Sequence, residues 1–96
     1  MMRQEPRQVL RVIKTRVRYN AFSYSPHAFE TMVDQALYEE DVKRAVASAR
    51  LVETRESSQL GTCYVLQGFA MSEDEMRVVC RLLRQRVEVL DLSRTP

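Results

Sequence analysis

Residues 76–92 read MRVVCRLLRQRVEVLDL, and their pattern points to a sheet. Over 76–83 the side chains alternate: Met76, Val78, Cys80 and Leu82 fall on one face, Arg77, Val79, Arg81 and Leu83 on the other. Arg84-Gln85 is the expected tight connection, and residues 86–92 return as a closing strand. Working backwards, 70–75 (AMSEDE) reads as a polar loop. The stretch 62–69 (TCYVLQGF) is a β-branched and aromatic strand, 57–61 (SSQLG) a turn, and 51–56 (LVETRE) a weakly alternating strand.

The N-terminal half changes period. In 6–17 (PRQVLRVIKTRV), Val9, Leu10, Val12, Ile13 and Val17 approach a helical stripe, with Pro6 suited to a first turn. Residues 21–25 (AFSYS) read as a short extended segment. Ser25-Pro26 then opens a helix to about residue 36, with Phe29, Met32, Val33, Ala36 and Leu37 expected on its buried face. A third helix is expected over about 39–49, with Glu39, Glu40 and Asp41 at its positive end and Val42, Ala45, Val46 and Ala49 buried. The alanines predict close packing against another element. The order predicts an α+β fold, with N-terminal helices on one face of a mainly antiparallel sheet of three to five strands.

The chain has 96 residues, enough for one domain spanning 1–96, with 1–5 and 94–96 expected to fray. Hydrophobic residues make up 45% and charged residues 29%, which excludes a disordered chain. No apolar run approaches the roughly 20 residues of a membrane span, and no signal-type apolar region follows the N-terminus, so a cytoplasmic protein without membrane contact is expected. The net charge of +2 conceals an asymmetry: residues 1–18 carry +5, 19–49 carry −3, 50–75 carry −3 and 76–96 carry +3. If the basic ends meet, they form a surface suited to phosphate; otherwise they are ordinary solvated faces. Cys63 and Cys80 stand without a CxxC pair beside a single histidine, so no zinc pattern assembles and the cysteines read as buried, reduced thiols. No cofactor or metal is expected.

The segment Tyr24-Ser25-Pro26-His27-Ala28-Phe29-Glu30-Thr31-Met32, followed by Glu39-Glu40-Asp41-Val42-Lys43-Arg44-Ala45, resembles the bacterial family called domain of unknown function 4258. The resemblance spans about residues 8–92. It implies a fold like that of RelE-type or MqsR-type toxins, which are messenger-RNA endonucleases paired with small antitoxin proteins. RNA and a cognate antitoxin are therefore the implied partners. The chain departs from the family pattern at four places. Thr31 replaces an arginine, Asp34-Gln35 replaces a basic residue, Ala36 replaces a glycine, and Tyr38 replaces a Ser or Thr cap.

His27 is the only histidine and falls in the first turn of a helix, whose positive end disfavours the imidazolium. It is the candidate acid or base for metal-independent RNA cleavage, with Glu30 as a candidate orienting group. Arg77 and Arg81 share a strand face and are candidate phosphate ligands. Arg84, Arg86, Tyr24 and Tyr64 are candidate RNA-binding residues, the tyrosines by stacking. Each also has a plain structural reading: His27 as a cap, the arginines as a solvated strand face, the tyrosines as sheet packing. Two further readings stand beside the toxin-like ribonuclease. One is a non-catalytic interaction domain docking through the basic first helix, favoured by Thr31 and Asp34-Gln35. The other is a DNA-binding regulator using Arg7 and Arg11.

Overall fold

The computed structural model describes residues 5–95. Three helices, α1 (Pro6–Arg18), α2 (Pro26–Asp34) and α3 (Glu39–Ala47), precede or flank five strands: β1 (Phe22–Tyr24), β2 (Arg50–Ser57), β3 (Gly61–Phe69), β4 (Glu75–Leu82) and β5 (Val87–Arg94). The strands form one sheet in the order β1-β5-β4-β3-β2. β2 to β5 make an antiparallel meander, and β1 pairs with β5 in parallel. The fold is α+β, as the change of period predicts.

One core joins the helices to one face of the sheet. It contains Val9, Ile13 and Val17 of α1, Ala28 and Met32 of α2, and Val42, Ala45 and Val46 of α3. The sheet adds Leu66, Met76, Val78, Cys80, Val87, Val89 and Leu92. Alternation in β4 therefore places Arg77, Val79 and Arg81 on the face without helices. Both cysteines are buried and free. The Cys80 thiol, pushed up to about 12 by burial, is not an activated nucleophile.

The helix ends explain several residues. α1 closes with Asn20 in the left-handed region (φ 64°), where Ala21 N donates to Arg16 O and Asn20 N donates to Val17 O. α2 starts on Ser25, whose Oγ accepts from Ala28 N at 3.1 Å. It ends earlier than residue 36, because Ala36 turns left-handed (φ 52°). Leu37 N then donates to Met32 O and Ala36 N to Val33 O, a Schellman closure sealed by buried Leu37. The backbone asks for glycine at this position, where the chain has alanine. Ala36→Gly is expected to raise stability by about 0.5–1 kcal/mol, read as a higher urea midpoint with an unchanged slope.

The expected buried stripe of α2 is corrected. Phe29 and Val33 are 59% and 66% exposed, and Ala28 is buried in their place. Small Ala28 and long Met32, one turn apart, face the core once Ser25 and β1 fix the helix entry. At α3 the capping comes from within the helix. Asp41, 9% exposed, accepts from Tyr38 N at 2.9 Å through Oδ2 and from Met71 N at 3.1 Å through Oδ1. It ties the helix start to the β3–β4 loop. Asp41→Ala strands both donors and is expected to cost about 2 kcal/mol in denaturant unfolding.

The C-terminal end of β5 is held in the sheet as far as it is described. Arg94 pairs with Met76 in the sheet, and Thr95 N donates to Glu75 O at 2.8 Å. Residues 1–4 and 96 lie outside the described residues. Among those described, no helix is long and apolar enough to cross a membrane.

Candidate functional site

β1 is only three residues long and pairs with β5 no further than Tyr24 against Val89. Beyond that point β5 is an uncovered edge, and α2 begins beside it. Ser25 fastens the junction, donating from its backbone N to Val89 O at 2.8 Å and from its Oγ to Leu90 O at 3.1 Å. His27, in the first turn of α2, thereby stands at the sheet edge. Its Nε2 lies 3.0 Å from Asp91 Oδ1.

Asp91 reaches this position through a bulge. Val89 pairs with Cys80 and Asp91 with Val79, so Leu90 has no partner on β4. The extra residue resets the alternation. Val89 and Leu92 point into the core, while Asp91 shares the open face with its partner Val79. Arg77 and Arg81, two residues on either side of Val79, are diagonal neighbours of Asp91 on that face. His27 is linked to that face only through Asp91, whose Oδ1 also accepts from Leu92 N at 2.9 Å, and not through Glu30.

With the proton on Nε2, the ring donates to the Asp91 carboxylate and its Nδ1 lone pair is open. Nδ1 makes no hydrogen bond among the described residues. The two side chains are 68% and 48% exposed, so the pair is open to a solute. At that exposure it contributes at most ~1 kcal/mol to stability.

The arginines differ in availability. Arg77 is exposed, and its Nε donates to the neutral Gln67 Oε1 at 3.3 Å. Arg81 Nε donates to Glu88 Oε1 at 2.7 Å within a largely covered pair, and its Nη1 donates to Leu60 O. Arg55 on β2 is held by Glu53 at 2.6 Å, which pulls that carboxyl below its ordinary range. Gln67, 9% exposed, also donates to Glu75 Oε2 and Thr95 Oγ1. Arg55 and Arg81 on the open face are therefore ion-paired and Arg77 is not, where the strand alternation alone suggested a basic face.

The remaining candidates lie elsewhere. Tyr24 and Tyr64 pair with the core residues Val89 and Cys80, so alternation turns both towards the helix side. The Tyr24 hydroxyl is buried with no hydrogen-bond partner among the described residues, and its ring meets Phe22 edge-on at 5.5 Å. Burial, then the Glu39 carboxylate, raises its pKa; burial likewise raises that of Tyr64. Neither ring shares a surface with His27. Arg84 and Arg86 occupy the β4–β5 turn, which Arg16 of α1 grips through the carbonyls of Leu83, Arg84 and Arg86. Arg86 Nε donates to Ser23 Oγ at 3.2 Å. The basic ends of the chain do meet, at this turn, away from Arg77.

Asp91 and Gln67 are the residues sequence reasoning missed. The available signal for Asp91 was a lone carboxylate inside Val-Leu-Asp-Leu, where strict alternation would have buried it. Among the described residues, no three His, Cys, Asp or Glu side chains gather as metal ligands do.

No curated protein and no solved structure gives a significant match to this chain. The family model described as "Domain of unknown function (DUF4258)" matches residues 24–90, from β1 through the His27 turn to the β5 bulge. That span covers more than half of the chain and leaves α1 outside it; the protein belongs to the DUF4258 family.

Proposed function

We propose that this protein is a toxin-like, RNA-binding protein that cleaves RNA without a metal ion, using His27 and Asp91 as its proton-transfer pair. The observation carrying this reading is the exposed His27–Asp91 contact, which leaves Nδ1 free beside a face bearing arginines. Nδ1 takes the proton of a ribose 2′-hydroxyl, and O2′ attacks the adjacent phosphorus. The P–O5′ bond breaks, giving a 2′,3′-cyclic phosphate and a 5′-hydroxyl whose proton comes from the imidazolium or from water. Arg77 meets the charge on the phosphoryl oxygens, and Arg81 adds to it only by sharing Glu88. In this reading the protein acts in the cytoplasm and is restrained by a small antitoxin.

The test is direct. Purified protein incubated with single-stranded RNA in excess chelator yields fragments with cyclic-phosphate ends, and its expression arrests growth. Intact RNA together with normal growth overturns the proposal.

A second reading is a non-catalytic domain that docks through α1. It is favoured by the carboxylates that already engage Arg55 and Arg81, and by Thr31 and Asp34-Gln35 where the family pattern is basic.

A further inference from the structure

α1 and α3 enclose a groove of about 580 Å³ on the helix side of the sheet. Its walls carry Arg7, Arg11, Lys14 and Arg18 from α1 and Lys43 from α3, and among the described residues no carboxylate lines it. Lys14 donates to Ala47 O and Lys43 to Asn20 Oδ1. Arg7, Arg11 and Arg18 make no hydrogen bond or ion pair among the described residues, in contrast to Arg81 and Arg55. Leu10, partly exposed, gives the groove an apolar patch, and Val17 and Val46 lie beneath it at 1% exposure each.

We infer that this groove binds an acidic amphipathic helix of a partner protein. The inference rests on the docking reading and narrows it to one groove and one partner chemistry. The cationic wall of α1 beside the apolar Leu10 complements a helix with a hydrophobic stripe flanked by Glu or Asp. The charges set register and encounter rate, and Leu10 with the aliphatic stems of the α1 cations supplies the apolar contact. Nucleic acid fits less well: among the described residues the groove has no aromatic side chain on which a base could stack. A bilayer fits less well too, because the apolar surface is recessed between charged walls. α1 lies outside the residues matched by the family model, so one wall of the groove is built from an element beyond that span.

The experiment titrates the full chain with a synthetic helix of about 18 residues, leucine on one face and glutamate elsewhere. Binding is followed by fluorescence anisotropy and by amide shifts. The expected result is saturable binding, with shifts in α1 and α3. Affinity should fall on the order of tenfold or more in Arg7→Glu/Arg11→Glu, whose exposed positions leave the circular dichroism unchanged. A peptide with lysine in place of glutamate should not bind. Equal binding by a version with serine in place of leucine overturns the inference, as does unchanged affinity in the variant.

Two other ligands separate this inference from the docking reading. Self-association lost in the variant, without peptide binding, assigns the groove to a second copy and keeps docking alone. Shifts of α1 and α3 produced only by single-stranded RNA assign it to nucleic acid and remove both. Absence of any ligand-induced shift in α1 also removes both.

Discussion

Gly68→Ala is expected to be the most destabilising single-methyl change in this protein, lowering stability by about 3 kcal/mol. An added Cβ would fall inside van der Waals contact with the Ala45 carbonyl oxygen and within 2.9 Å of Ser48 Oγ. The obstacle is backbone, so no rotamer change relieves it. α3 would have to lift from β3, breaking the bond from Phe69 N to Ser48 Oγ at 2.9 Å and opening the core around Val42 and Val46. For a domain of this size, that corresponds to a melting temperature lower by on the order of 15 °C. Gly61→Ala is the control. Gly61 has φ 77° but nothing within 4 Å of the added atom, so only the backbone strain of about 1 kcal/mol applies. Urea melts giving equal losses for the two variants would contradict the close approach of α3 to β3.

His27→Ala is expected to reduce RNA cleavage by 10²- to 10⁴-fold, the usual range for loss of a positioned acid–base group. The side chain is 68% exposed, so the melting temperature should hardly move. That separates a chemical role from a structural cap, whose loss would lower stability and leave any cleavage rate intact. Asp91→Asn keeps an acceptor for Nε2 but removes the charge that holds the tautomer, and a loss on the order of 10² is expected. Because both residues act on one proton, the double variant should be no slower than His27→Ala alone. Cleavage that survives His27→Ala, or losses that multiply, would take the pair out of the chemistry.

Much of the fold was legible because its signals are local. The alternation of Met76, Val78 and Cys80 named the buried face of β4, and Ser25-Pro26 announced the start of α2. The alanines of α3 signalled a close neighbour, and Ala45 lies over Gly68. The stripe of α2 was misread because Phe29 and Val33 match helical spacing as well as Ala28 and Met32 do. Periodicity fixes the angle between residues and does not say which angle faces the sheet.

The site was legible only in pieces. The histidine stood out as the sole imidazole, and Arg77 and Arg81 as a strand face. The partner of His27 was hidden, since Asp91 lies 64 residues away, whereas Glu88 stands opposite Arg81 across the β4–β5 hairpin.

The order of elements, the start of α2 at Ser25 and the inward face of β4 follow from the amino-acid sequence, because each depends on neighbours within a turn or a strand. The meeting of His27 with Asp91 and the bare cations of the α1–α3 groove were decided only by the tertiary structure. They depend on the bulge at Leu90 and on how closely the helices approach one another and the sheet. Both are set by packing between segments distant in the chain, which no local pattern encodes.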